Sequence, residues 1–109
     1  MGRIQSKPGK MEKKIVYTKN FQTSVNNRKD WLEKEWSFDI AEKFILELFK
    51  LIDLISAQPQ IGSISQKKKN VRKILLSRRN RIYYRINKKT ITLLDLFDTR
   101  QNPERNRYE

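Results

Sequence analysis

The hydrophobic repeat of this sequence changes once: apolar residues recur every three to four positions before Pro59 and every second position after Asn70. Helix and strand periods cannot share one element, so the chain divides into a helical half followed by a β half. At 109 residues there is room for a single core between them. Residues 1–12, with Gly2, Pro8 and Gly9 among basic and polar side chains, read as a disordered basic leader, leaving 13–109 as one domain.

Within the helical half, Lys13 to Thr18 carries the β-prone run Ile15-Val16-Tyr17 and predicts a short strand, with Asn20 as the N-cap of the helix that follows. Phe21, Val25, Leu32 and Trp36 mark the apolar side of that first helix. Asp39, with Glu42 three residues on, has the spacing of a capping box for a second helix. Its stripe is wide: Ile40, Ala41, Phe44, Ile45, Leu48, Leu51, Ile52 and Ile55. Pro59 ends it, and the short connection between the helices predicts an antiparallel hairpin, with Trp31 and Trp36 as its packing anchors.

Gln58 to Asn70 reads as a loop. Val71–Leu76, Arg81–Ile86 and Thr90–Phe97 then predict three strands, joined by the hairpin-length connections Ser77–Asn80 and Asn87–Lys89. On the middle strand Ile82, Tyr84 and Ile86 share one face while Arg81, Tyr83 and Arg85 share the other. The first face needs the helical stripe as its cover, and the second is expected to present cations. The predicted fold is α+β, in the order β-α-α-β-β-β, with an antiparallel sheet packed on an N-terminal helical hairpin.

Charge follows the same division. The chain holds 25 Lys and Arg against 12 Asp and Glu, a net charge of +13. Residues 12–53 are neutral, whereas residues 54–94 carry +11 without a single acid. Self-repulsion on that scale favours a polyanionic or acidic partner over a merely solvated face. With no Cys and no His, thiol nucleophiles, histidine general bases and the usual zinc ligand sets are excluded. Three glycines without a phosphate-loop pattern argue against nucleotide-dependent chemistry, and no cofactor or metal is expected. No apolar run is long enough to span a bilayer or to form a secretory signal, so a cytoplasmic protein without a membrane partner is expected.

The succession of Gln58-Pro59-Gln60-Ile61-Gly62 after the hairpin, Val71-Arg72-Lys73-Ile74-Leu75, Arg81-Ile82-Tyr83-Tyr84-Arg85-Ile86, and Leu94-Asp95-Leu96-Phe97-Asp98-Thr99-Arg100-Gln101-Asn102-Pro103 resembles the RelE/ParE superfamily of toxins, also called plasmid stabilisation proteins, over roughly residues 13–105. The resemblance implies a type II toxin held by a cognate antitoxin. Its RelE-like branch cuts mRNA on the ribosome and its ParE-like branch inhibits DNA gyrase.

Carried over residue by residue, the strand arginine of the RelE-like nucleases falls on Arg81, the arginine after their last strand on Arg100, and a basic residue at the start of their second strand on Arg72. The second lysine of their pattern falls on Ile74, and their C-terminal tyrosine falls on Asn106, with Tyr108 two positions later. A guanidinium binds phosphate oxygens in pairs and is a poor base, so Arg72, Arg81, Arg85 and Arg100 are candidates to grip a phosphate. Proton transfer would fall to Tyr108, Lys73 or one of Lys67, Lys68 and Lys69. Those lysines, with Tyr83 as a stacking platform and Arg85, make up the candidate nucleic-acid surface. Each has a plainer reading beside it: Arg81 and Arg85 solvate an open face, Lys67 to Lys69 form a solvated loop, Tyr83 packs on its cross-strand neighbours, and Arg100 closes onto Asp95 or Asp98. The expected activity is therefore ribosome-dependent endoribonuclease cleavage by a growth-inhibiting toxin. The alternatives are gyrase inhibition without chemistry, or a degenerate member that only binds antitoxin or nucleic acid.

Overall fold

A computed structural model of the chain describes residues 13–100 and Tyr108. The elements run β1 (Lys14–Tyr17), α1 (Lys19–Glu35), α2 (Phe38–Ala57), a 3-10 turn (Pro59–Ile61), β2 (Ser63–Ile64), β3 (Val71–Leu75), β4 (Asn80–Ile86) and β5 (Thr90–Asp98). The leader assigned to residues 1–12 lies outside the described residues.

The α+β architecture is as expected, with two refinements in the sheet. Its five strands lie in the order β1-β5-β4-β3-β2, and β1 pairs with β5 in parallel, so the sheet is mixed rather than antiparallel throughout. Parallel neighbours need a long connection, and everything from α1 to β4 supplies it. The expected loop also contains the 3-10 turn and the two-residue strand β2, which pairs antiparallel with β3.

Both helix caps sit earlier than the sequence suggests. Thr18, not Asn20, caps α1: its hydroxyl accepts from the Phe21 N–H at 3.1 Å and donates to the Leu93 carbonyl at 2.8 Å. One side chain thus closes the helix and ties it to β5. Ser37 caps α2 through the Ile40 N–H, which leaves Asp39 in the first turn, where the helix dipole favours an anion.

The core is built on β4. Ile82 and Tyr84 point into a cluster with Phe21, Leu48, Ile52, Ile55, Ile91, Leu93 and Leu96, which the helical hairpin covers. Only Phe21 of α1 is buried, whereas α2 contributes Ala41, Leu48, Ile52 and Ile55. Ile40, assigned to the stripe, is 42% exposed, and Trp36 is 66% exposed, so Trp36 is not the buried anchor the sequence suggests.

The opposite face is not the open cationic surface that alternation suggests. Val71, Tyr83 and Phe97 form a second cluster there, closed by Tyr108. Leu94, at an irregularity where Tyr83 pairs with Asp95 and Tyr84 with Leu93, packs against the same cluster. One extra residue on β5 shifts its alternation, the usual effect of a bulge.

Tyr84 fastens the end of α2 to the sheet. Its hydroxyl donates to the Pro59 carbonyl at 2.6 Å and accepts from the Gly62 N–H at 3.0 Å. Burial pushes this phenol above its ordinary pKa, opposed by the Gly62 N–H and the nearby Arg72. A side chain at Gly62 would lie 2.7 Å from both the Lys73 carbonyl oxygen and the Tyr84 hydroxyl, so only glycine lets the chain pass here. Tyr84→Phe strands the Gly62 N–H and should cost about 1–3 kcal/mol in denaturant unfolding, with no change of fold by circular dichroism.

Candidate functional site

The candidate arginines divide among three surroundings. Arg72 is paired opposite Tyr84, which puts it on the helix-covered face, and its guanidinium donates to the backbone carbonyls of Gly62 at 2.7 Å and Gln60 at 3.3 Å. It serves the turn after α2. Arg81 shares the other face with Tyr83, and its Nη1 donates to the Tyr83 hydroxyl at 3.1 Å. Arg85, half-buried on that same face, is paired with Val71 on one side and Thr92 on the other.

Arg100 belongs to a cluster between α1 and the end of β5. Its Nε and Nη2 donate to the two Asp98 carboxylate oxygens at 3.2 and 3.0 Å, and Asp98 also pairs with Arg28 of α1. The Trp31 ring faces both guanidinium carbons, 5.3 Å from that of Arg28 and 5.8 Å from that of Arg100. These are cation–π distances. Trp31 is therefore not the packing anchor of the hairpin that the sequence suggests: it is 41% exposed and meets charge instead of the apolar core. A second link, from the Ser24 hydroxyl to Asp95 at 2.7 Å, runs parallel to the first.

Asp98 is the hub of this cluster. Burial would raise its pKa, but hydrogen bonds from Arg100 and Arg28 outweigh that and hold the carboxyl well below the usual carboxylate range. A carboxyl so depressed stabilises the fold above its unfolded pKa of about 3.9, and that contribution is lost as pH falls through the lower folded value.

The two candidate aromatics are buried against each other. Tyr83 has no exposed surface and Tyr108 is 8% exposed; their rings stack at 4.6 Å, and Phe97 meets Tyr83 edge-on at 6.5 Å. Tyr83 therefore offers no ring face to a base, because Tyr108 already occupies it. The Tyr108 backbone carbonyl accepts a hydrogen bond from the Ser65 hydroxyl, which places Tyr108 as a packing residue of the sheet. Position 106, where the nuclease tyrosine falls, lies outside the described residues.

Lys73 is half-buried opposite Tyr83, while Lys67, Lys68 and Lys69 are exposed on the loop between β2 and β3. Ser65 orders that loop by accepting the N–H groups of Lys67 and Lys68 at 3.2 and 3.3 Å. Arg72, Arg81 and Arg100 consequently do not meet around one phosphate-sized space. Sequence reasoning missed Arg28 and Trp31 as partners of Arg100, since nothing in the spacing shows that α1 crosses the end of β5. Among the described residues no group of three or more carboxylates could hold a metal ion, and no helix is long and apolar enough to cross a membrane.

Asp98→Asn should lower Tm by about 5–15 °C near neutral pH, equivalent to about 1–3 kcal/mol in a domain of this size. The gap to the parent protein should narrow as the pH is taken below about 4, where the carboxyl takes up a proton in the unfolded parent while it is still ionised in the folded one. Tyr108→Ala should cost about 2–4 kcal/mol in urea unfolding by emptying the pocket over Tyr83.

Similarity to other proteins agrees with this architecture. Residues 15–103 match the family described as the ParE toxin of type II toxin-antitoxin system, parDE. Among solved structures, the chromosomal ParDE toxin-antitoxin system from P. aeruginosa superposes with a TM-score of 0.69 at 15% identity, covering 80% of this chain and 96% of that one. The E. coli DinJ-YafQ toxin-antitoxin complex gives 0.60 at 13% identity, over 81% of this chain and 93% of that one. The YoeB dimer from Staphylococcus aureus gives 0.53 at 11% identity, over 79% and 95%. No curated protein sequence matches the chain. With the family match running from β1 past the end of β5, the chain belongs to the ParE toxin family of type II toxin-antitoxin systems.

Proposed function

We propose that this toxin inhibits growth by binding its target, as a ParE-like inhibitor of DNA gyrase, and not by cutting RNA. The observation that carries this reading is the separation of the candidate catalytic groups. Metal-free RNA cleavage needs an aligned 2′-hydroxyl, a stabilised phosphate and a proton donor within one site of a few ångströms. Here Arg72 is committed to backbone carbonyls, Arg100 to Asp98, Arg81 to the Tyr83 hydroxyl, and Tyr108 to packing. A binder needs none of these groups to converge.

The cognate antitoxin has its own surface in this reading. Trp36, Phe38, Leu46 and Phe49 are each at least half exposed on the helical hairpin. An amphipathic segment that orders on binding would cover them, and its acidic residues would offset the net charge of +13. The charged part of such a complex weakens with salt.

Two measurements test the target. Purified toxin should inhibit supercoiling by purified gyrase, and mapping of mRNA 5′ ends after toxin induction should reveal no new cuts at codon positions. Codon-positioned cuts with supercoiling unaffected would return the protein to the ribosome-dependent nucleases.

A further inference from the structure

We infer that the end of the sheet where β1 and β5 begin is a sequence-independent binding surface for the phosphate backbone of nucleic acid. This goes beyond the gyrase reading and does not depend on it.

Three segments far apart in sequence meet at that end. Lys13 and Lys14 begin β1, Lys88 and Lys89 form the turn between β4 and β5, and Lys67, Lys68 and Lys69 lie on the loop leading into β3. Backbone bonds join them in a row. The Lys14 N–H donates to the Lys89 carbonyl at 3.0 Å, and the Ile86 N–H donates to the Asn70 carbonyl at 3.1 Å. All but Lys13 of these seven lysines are exposed, and no acid interrupts the three segments.

Both loops are held in place. The Lys13 ammonium donates to the Asn87 and Lys88 carbonyls at 2.8 and 2.7 Å, which pins the turn, and the Asn87 side chain braces it against Thr90 at 3.1 Å. On the other side Ser65 orders the start of the three-lysine loop, and Asn70 turns the chain into β3 with a left-handed φ of 63°. An open cleft of about 550 Å³ lies between this loop, Gln60 and Arg72. The lysines are therefore presented from fixed backbone, which lowers the ordering cost of binding.

Their chemistry selects the ligand. From β1 to β2 the row spans four strand spacings, about 19 Å, which corresponds to about five to six steps of a nucleic-acid strand. Lysine offers a point charge without the planar fork of arginine, so a row of lysines favours phosphate contacts over base readout. Aromatic anchors, which dominate the centres of protein interfaces, are absent from the three segments. A phosphate backbone fits this row better than an acidic protein does.

The test is fluorescence anisotropy of the full-length toxin with a labelled 20-base-pair DNA duplex, a 20-nucleotide RNA strand and polyglutamate, between 50 and 200 mM KCl. Binding should fall with salt at a logarithmic slope of about −4 to −5 for the duplex and about −3 to −4 for the RNA strand, as expected for about five phosphate contacts. Replacing Lys67, Lys68, Lys69, Lys88 and Lys89 by Gln should weaken binding at least tenfold and flatten the slope to about −1. The same five positions changed to Arg should keep it, and an unchanged circular dichroism spectrum and urea midpoint of the Gln variant exclude misfolding as the cause. A control with equal charge loss, Lys19, Lys29, Lys34, Lys43 and Lys50 changed to Gln on the helices, should stay within about threefold of the parent, because a screened field beyond about 10 Å adds little. The ratio of duplex to RNA affinity identifies which backbone is preferred, and either supports the assignment. Equal weakening in the helix control, binding without salt dependence, or binding to polyglutamate alone would overturn it. Gyrase is absent from this assay, so its failure and that of the gyrase reading are separable.

Discussion

The fold rests on a strand that has no exposed side. Ile82, Tyr83 and Tyr84 are all fully buried, and because successive strand residues point to opposite faces, β4 needs a cover on each. The helical hairpin supplies one, around Ile82 and Tyr84. The second comes from Val71, Phe97 and the late residue Tyr108. Both tyrosines also bring a hydroxyl into low-dielectric surroundings, where an unpaired polar group is costly. Arg81 answers for Tyr83; Pro59 and Gly62 answer for Tyr84. Two residues that look functional in sequence, Arg81 and Tyr108, are thereby drawn into the architecture.

Scarce negative charge is used with similar economy. Residues 54–94 carry 11 bases and no acid, and the carboxylates of β5 follow directly after them. Asp95 and Asp98 both turn toward α1, accepting from Ser24 and Arg28. They attach a helix that buries only Phe21 of its own. A polar seam thus does for α1 what an apolar stripe does for α2. Lys67 to Lys69 and Lys88 to Lys89, at the far end of the sheet, are left without acidic neighbours in their own segments.

Most of the fold was legible because periodicity is local. The helical spacing to Ile55, the stop at Pro59 and the alternation from Val71 to Phe97 each identify an element from its own residues. The parallel pairing of β1 with β5 was not legible, since nothing in Ile15-Val16-Tyr17 records which strand it joins. The caps were misplaced for a local reason: Thr18 and Asn20, like Ser37 and Asp39, are two residues apart and both competent, and contacts with β5 favour Thr18. The site was legible as composition but not as geometry. Arg72 and Arg81 are on neighbouring strands, yet the register puts them on opposite faces. Tyr83 shows the same limit, because its cover arrives from 25 residues further along the chain.

The hydrogen bond from Ser65 to the Tyr108 carbonyl gives the closing tail a second duty. Ser65 is also the acceptor that shapes the three-lysine loop, so one hydroxyl links Tyr108 to that loop. Proteolytic trimming ahead of residue 108 would uncover Val71, Tyr83 and Phe97 as a greasy strip along the sheet. Such a strip favours self-association, so covering it with Tyr108 also bears on solubility.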